Sequence, residues 1–316
     1  MGHAYEWGLQ ELGPGLYAYL QPDGSWGWSN AGLIVDGGQA VLVDTLFDLG
    51  LTGIMLQAMR DAVPAAARFE ALVNTHSNGD HWYGNQLVPT SRIIATERCR
   101  EEMLGRPPSA MAAMMAATPT SGATGAFLRD IFGRFQFEGI APTLPNEFFD
   151  SELTIRAGDL EARIRDLGPA HTGSDTIVHV PEARTVFTGD LLFAGRHPIM
   201  WAGPSENWIA ALDTILGLDV DHIVPGHGPL TDKQSVRELR RYWDHLRGAA
   251  RERYQAGMEP LEAARDIPME DFASWGEPER LVVNVMTLYR EFAGVSERPP
   301  VGELFAQMAA LAGYGA

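Results

Sequence analysis

Four short segments of this 316-residue chain carry side chains that can bind a metal ion. The densest is "LVNTHSNGDHWYGNQ", which brings His76, Asn78, Asp80 and His81 into one loop. The others place His171 in "GPAHTGSD", Asp190 in "FTGDLLF" and His227 in "VPGHGP". Neutral imidazole and carboxylate oxygen are the donors that zinc and other first-row divalent ions favour. An ion held this way lowers the pKa of its water to about 7 and polarises a carbonyl, so the chemistry these residues point to is hydrolysis. Asp80 is placed both to ligate metal and to orient or deprotonate that water. Glycines flank each segment (Gly79, Gly173, Gly189, Gly226, Gly228) and permit tight turns and close backbone approach to an ion.

Each segment follows a run that reads as a buried strand, so a sheet is expected to hold the ligands at its edge. In the first third, "LYAYL", "AGLIV" and "AVLVDT" read as strands, and "DGG" between the last two is hairpin chemistry. "LGLTGIMLQAMRDAV" reads as a helix, and "FEALVNT" as the strand that runs into the His76 loop. A short helix is expected near Trp82, a strand at "RIIAT" and a helix over Glu97–Leu104. From Ser151 strands return in "ELTIRA", "LEARIRDLG", "DTIVHVP" and "RTVFTGD", then a helix in "SENWIAALDTILGL" and a strand in "DHIVPGHGP". Mixed strands and helices in two similar halves predict an α/β layered body. This puts a catalytic unit at 1–232 and a helical C-terminal extension at 233–316.

Residues 103–145 differ in character. They hold five charged residues, none of them between Pro107 and Leu128, and a Met-rich run with Met111, Met114 and Met115 at helical spacing. A helical insertion packing its Met face on the core is one reading. A mobile lid over an apolar substrate pocket is the other, since adaptable Met surfaces suit ligands of varied shape.

Bulk composition narrows the partners. The net charge of −17 argues against nucleic acid and anionic membrane surfaces. The single cysteine, Cys99, excludes an intramolecular disulfide and fits a reducing compartment. With no signal-peptide pattern at the N-terminus and no apolar run of membrane-spanning length, a cytoplasmic location and a small-molecule substrate are expected. The amphipathic "ERLVVNVMTLYREF" suits core packing or a contact between copies in a homo-oligomer. There is no phosphate-cradling G-x-x-x-x-G-K-[ST] loop and no G-x-S-x-G nucleophile turn.

As an ordered set, "SNAGLIVDGGQAVLVDT", the His76 loop, the lone His171, "TGDLLF" and "PGHGP" resemble the metallo-β-lactamase superfamily. The resemblance spans about Asn30 to Pro229 and implies an αββα four-layer sandwich with metal at one edge. Carried over position by position, it implies a first metal site of His76, Asn78 and His171 and a second of Asp80, His81 and His227, with Asp190 bridging. It implies too that Asp44 orients a ligand from behind.

This sequence departs from the pattern at Asn78, where the family motif has histidine. An amide oxygen is a weak, hard donor, so one or two ions are expected with the first site weakened. Zinc is the leading cofactor, with manganese or iron as alternatives.

Beside the site, His197 is a candidate to protonate a leaving group and Arg196 to bind an anionic one. Trp82 and Tyr83, directly after His81, are candidates to line the pocket. His179, His222 and His245 lack ligand spacing and read as structural. The resulting expectation is a hydrolase of an ester, thioester, lactone or amide bond in a fairly apolar molecule. A β-lactamase, a non-haem iron redox enzyme and a non-catalytic binding protein with a degraded metal site are its rivals.

Overall fold

The computed structural model describes residues 5–118 and 122–315. Two sheets pack face to face. The first holds β1 (Gly8–Gly13), β2 (Leu16–Leu20), β3 (Ala31–Asp36), β4 (Gln39–Val43), β5 (Ala71–Val73), β6 (Ile93–Ala95) and β7 (Glu147–Phe148), in that order across the sheet. Its first four strands pair antiparallel and β4 to β7 pair parallel. The second holds β8 (Glu152–Ala157), β9 (Leu160–Asp166), β10 (Thr176–Val180), β11 (Thr185–Phe187) and β12 (His222–Val224). Its strands alternate in direction except for the parallel pair of β11 and β12.

The strand period of two sorts side chains between layers. On β4, Val41 and Val43 face the space between the sheets, while Ala40 and Leu42 face α1 (Leu49–Ala62) with its Met55 and Met59. On β10 and β11, Val178 and Phe187 point between the sheets, and Ile177 and Val186 point to the opposite helical layer. Both faces of the central strands are therefore apolar and covered, which produces the αββα sandwich, while the outer faces of β8 and β9 carry exposed Arg and Glu side chains. Gly32 sits where a Cβ would meet the Phe187 ring at 2.3 Å, so its bare backbone sets how closely the sheets approach.

The helices are sealed by local chemistry. Asp48 caps α1 by accepting from Leu51 N at 2.8 Å, and Thr96 caps α2 (Glu97–Gly105) by accepting from Cys99 N. The segment over 103–145 contains α3 (Pro108–Ala117) and α4 (Ala123–Phe132); residues 119–121 lie outside the described ones. The outer layer on the second sheet contains α5 (Ser205–Gly217) and α6 (Lys233–Gln255). The latter buries Val236, Leu239, Trp243, Leu246 and Ala250 at helical spacing. After α7 (Pro260–Asp266), α8 (Leu281–Ala293) buries Leu281, Val282, Val285 and Leu288 within the chain. Finally α9 (Val301–Leu311) contacts α4 and α8. No helix among the described residues is long and apolar enough to cross a membrane.

One local expectation changes. The helix expected near Trp82 is a pair of 3₁₀ turns, Gly79–His81 and Asn85–Leu87, because side-chain hydrogen bonds rather than a helical ladder hold that loop. Strand β1, whose burial is only partial, carried no clear apolar alternation in the sequence.

Candidate metal centre

The ligand-bearing loops leave the two sheets at one edge. Asp44 follows β4, His76 to His81 follow β5, Asp190 follows β11 and His227 follows β12, while His171 lies on the turn entering β10. Polar side chains pin these loops. Asn74 and Asn85 exchange hydrogen bonds, with Asn85 Nδ2 donating to Asn74 Oδ1 at 2.8 Å and Asn74 Nδ2 donating to His81 O at 3.1 Å. Asn30 Nδ2 donates to both Pro225 O and Gly228 O at 2.9 Å, fixing the turn that carries His227. Ser29 Oγ donates to Asp80 O. Two glycines are required by contact: a Cβ on Gly226 would lie 1.9 Å from Asp190 Oδ1, and Gly189 has φ +49° with Thr75 against it.

Every imidazole is oriented from behind through Nδ1. His81 Nδ1 lies 2.9 Å from Asp44 Oδ2, His171 Nδ1 2.6 Å from Ile199 O, and His227 Nδ1 3.1 Å from Gly24 O. His76 Nδ1 lies 3.0 Å from Thr75 Oγ1, whose own proton goes to Asp44 Oδ2 at 2.7 Å. These contacts suit an Nδ1 that donates and direct each Nε2 inward, the orientation a metal ligand needs.

The inward atoms form two clusters, His76 with His171 and Asp190, and Asp80 with His81 and His227; within each they lie no more than 4.8 Å apart. Asp190 reaches both: its Oδ2 is 3.3 Å from His171 Nε2 and 3.5 Å from His227 Nε2, and its Oδ1 is 3.1 Å from His81 Nε2. His76 Nε2, His81 Nε2 and Asp190 Oδ1 are buried without a hydrogen-bond partner. Such orphaned ligand atoms, convergent and buried, fit a divalent cation and are otherwise costly.

Charge coupling follows from that geometry. Burial alone would raise Asp190 and Asp80, but the surrounding imidazoles hold both below the usual carboxylate range. Burial opposes protonation of His227, yet Asp190 and Asp80 push it up to about 9; Asp190 and Asp44 raise His81 in the same way. Burial dominates at His171, which falls to about 4, and at His76, which is lowered further by its imidazole neighbours.

Asn78 stands beside the first cluster, its Nδ2 2.9 Å from His171 Nε2. The floor residues Asp80, Asp190 and His227 open onto a cavity of about 450 Å³ walled by Trp26, Phe47, Phe132, Phe193, Trp201 and Phe305 among others. Tyr83, Met111 and Met114 also line it. The structure does not bring the remaining candidates to its wall. Trp82 is buried in the core with Nε1 donating to Ser77 O, and Met115 faces aside. Arg196 pairs with Glu277 at 2.6 Å. His197 is buried with its ring edge-on to the stacked pair Tyr242 and Trp275, and burial, with Arg280 nearby, lowers it to about 4. His197 thus lies away from the cavity wall, apart from the place that the expectation of a leaving-group acid requires.

The sequence reading missed the aromatic walls and Arg280, because they come from distant segments. "GSWGWS" was the one local signal, two tryptophans in a Gly-Ser loop.

Comparison with known proteins agrees with this geometry. The family model described as the metallo-beta-lactamase superfamily matches residues 24–227. The alpha subunit of 2,4-dinitroanisole O-demethylase from Nocardioides sp. (strain JS1661) is 22% identical over 271 residues, covering 81% of this chain and 72% of that protein. Among solved structures, the inverting sec-alkylsulfatase Pisa1 from Pseudomonas sp. superposes with a TM-score of 0.67 at 18% identity, over 91% of this chain and 50% of that one. The chain thus spans about half the length of that sulfatase. The DIM-1 metallo-beta-lactamase superposes with a TM-score of 0.51 at 15% identity, over 75% of this chain and 96% of that one. Structural likeness at these identities speaks for the fold alone. Taken with the family match, it establishes that this chain belongs to the metallo-beta-lactamase superfamily.

Proposed function

We propose that the protein is a metal-dependent hydrolase acting on an ester, thioester, lactone or amide bond of an apolar small molecule. One observation carries the reading: four histidines and two aspartates converge in two adjoining clusters, and Asp80, Asp190 and His227 of these form the floor of an aromatic cavity. His76, His171 and Asp190 would hold one ion and Asp80, His81 and His227 the other, with zinc the best match to this donor set. When bound, a divalent ion supplies Lewis acidity and makes water nucleophilic at neutral pH.

The chain's own groups do the rest. Asp80, kept ionised and facing the cavity, accepts a proton from the attacking water. Tyr83, whose hydroxyl is raised above its usual range by burial and by the Asp80 charge, keeps its proton and hydrogen-bonds the substrate. The aromatic walls bind the apolar body and exclude bulk water, which strengthens every electrostatic contact at the floor.

The test is metal content of protein purified without added metal, followed by a substrate panel. Turnover of at least one carbonyl ester, thioester, lactone or amide, abolished by a chelator and restored by zinc or manganese, is expected. Turnover confined to an alkyl sulfate or an aryl methyl ether would move the bond to those named for the similar proteins. Turnover confined to β-lactams would make it a β-lactamase, and iron-coloured protein consuming oxygen would favour redox chemistry. Protein that takes up no metal and turns over nothing would overturn the reading in favour of a binding protein.

A further inference from the structure

We propose that Arg280 makes one wall of the cavity an oxyanion-binding subsite, so that the preferred ligand is an apolar chain ending in a carboxylate or a sulfate-type group. The identity of the substrate rests on the hydrolase reading above; the anion preference is a property of the cavity itself.

Arg280 begins α8 and lines the same cavity as Asp80, Asp190 and His227, although only 2% of it is exposed. Its Nη1 donates to His197 O at 3.1 Å, and its Nε has no partner. A buried guanidinium cannot shed its charge, so a fork that borders a cavity with its hydrogen bonds incompletely matched favours an anion there.

The nearby carboxylates do not meet that need. Among the described residues, Glu277 is the one ion-pair partner of Arg280 within 4.0 Å, at the limit of 4.0 Å. Glu277 gives its Oε1 to Arg196 at 2.6 Å, and its Oε2, itself unpartnered, stays beyond hydrogen-bond distance of Arg280. Glu279 Oε1 accepts instead from Trp26 Nε1 at 2.7 Å.

The rings around Arg280 hold the fork in place. Its Cζ lies 4.2 Å from the Trp26 centroid and 5.3 Å from that of Phe193. Phe193 in turn stacks on His227 at 5.3 Å and 4°. Arg280 is thereby tied through one aromatic ring to a residue of the metal cluster, within the span of a small substrate. A planar guanidinium matches the paired oxygens of carboxylate, sulfate or sulfonate. The chain's net charge of −17 repels anions in general, so an anion preference would have to come from a local site such as this.

The competing role is purely structural, a cation clamped between Trp26 and Phe193. Calorimetric titration of the full chain with octanoate, octanesulfonate and neutral octanamide separates the two. Wild type is expected to bind at least one anion about tenfold or more tightly than octanamide. Which anion wins tells carboxylate from sulfate-type recognition. In Arg280→Gln the anion-to-neutral ratio falls toward one, and Arg280→Lys, which keeps the charge, retains part of it. A structural clamp would lower melting temperature without changing the ratio, so an unchanged ratio in Arg280→Gln overturns the proposal and places the anion elsewhere, on the metal ligands. Equal affinities in wild type, or no binding of any of the three, overturn it too. An intact anion preference in protein that hydrolyses nothing would sink the hydrolase reading and leave this one standing.

Discussion

Asn78 Nδ2 lies 2.9 Å from His171 Nε2, on the lone pair that this imidazole would give to a metal. Because His171 Nδ1 donates to Ile199 O, its Nε2 is an acceptor, and the Asn78 amide N–H satisfies it. A metal taken by His171 must displace that donor or meet the amide oxygen turned in its place. The first cluster is therefore expected to hold metal more weakly than the second. Metal analysis is expected to give about one ion per chain in wild type, rising toward two in Asn78→His. Two ions in both proteins would show Asn78 to be no handicap.

Asp44 is the common anchor of both clusters, accepting from Thr75 N and Thr75 Oγ1 at 2.7 Å and from His81 Nδ1 at 2.9 Å. Its φ of +61° is left-handed, so Asp44→Gly removes the carboxylate while relieving the backbone. Metal affinity, read by competition with a chromogenic chelator, should fall about 10- to 100-fold. Unchanged affinity would deny Asp44 its orienting role.

Gly226 leaves the space that the Asp190 carboxylate fills. In Gly226→Ala the new methyl would overlap Asp190 Oδ1, so Asp190 must move and metal binding should collapse, with stability falling by about 1–3 kcal/mol. Gly248 in α6 meets nothing within 4 Å, and Gly248→Ala should stabilise by about 0.5–1 kcal/mol with metal content unaltered. Metal analysis and urea titration of the pair check this.

Met111 and Met114 line the cavity, whereas Met115 packs outside it. Met111→Ala with Met114→Ala should raise KM for apolar substrates about tenfold, the loss expected for a few buried methylenes, at constant metal content. Met115→Ala should leave KM in place. Equal KM values across all three proteins would remove α3 from the substrate site.

His197 is buried and neutral, with its pKa lowered from 6.5 to about 4 by burial and then by the Arg280 charge. Below pH 6.5 the unfolded chain binds a proton there that the folded one refuses, so its contribution to stability is complete above 6.5 and is lost as pH falls toward 4. The loss between pH 7.5 and pH 5 is about 2 kcal/mol for this group. His197→Phe should flatten that part of the acid limb in urea titrations at the two pH values. An unchanged limb would mean that His197 protonates freely in the folded state.

The candidate metal ligands were legible because each is set by local grammar: an apolar strand, a glycine-rich turn and a donor at its end. That grammar placed Asp190 and His227, and their order along the chain resembled one family closely enough to imply the sandwich. His197 and Arg196 sit in equally suggestive loop sequence, yet their fate was decided by packing. His197 lies under Tyr242 and Trp275, and Arg196 is bound to Glu277, from segments that follow it by dozens of residues.

What the sequence by itself determined was the donor set, the sheet-edge placement of that set and the family. Tertiary structure alone decided which side chains face the cavity. Trp26, Phe132, Phe193, Arg280 and Phe305 share one wall although they are spread over most of the chain. Side-chain type and spacing govern local backbone shape, whereas convergence of remote residues depends on how whole layers stack, and no short window of sequence encodes that.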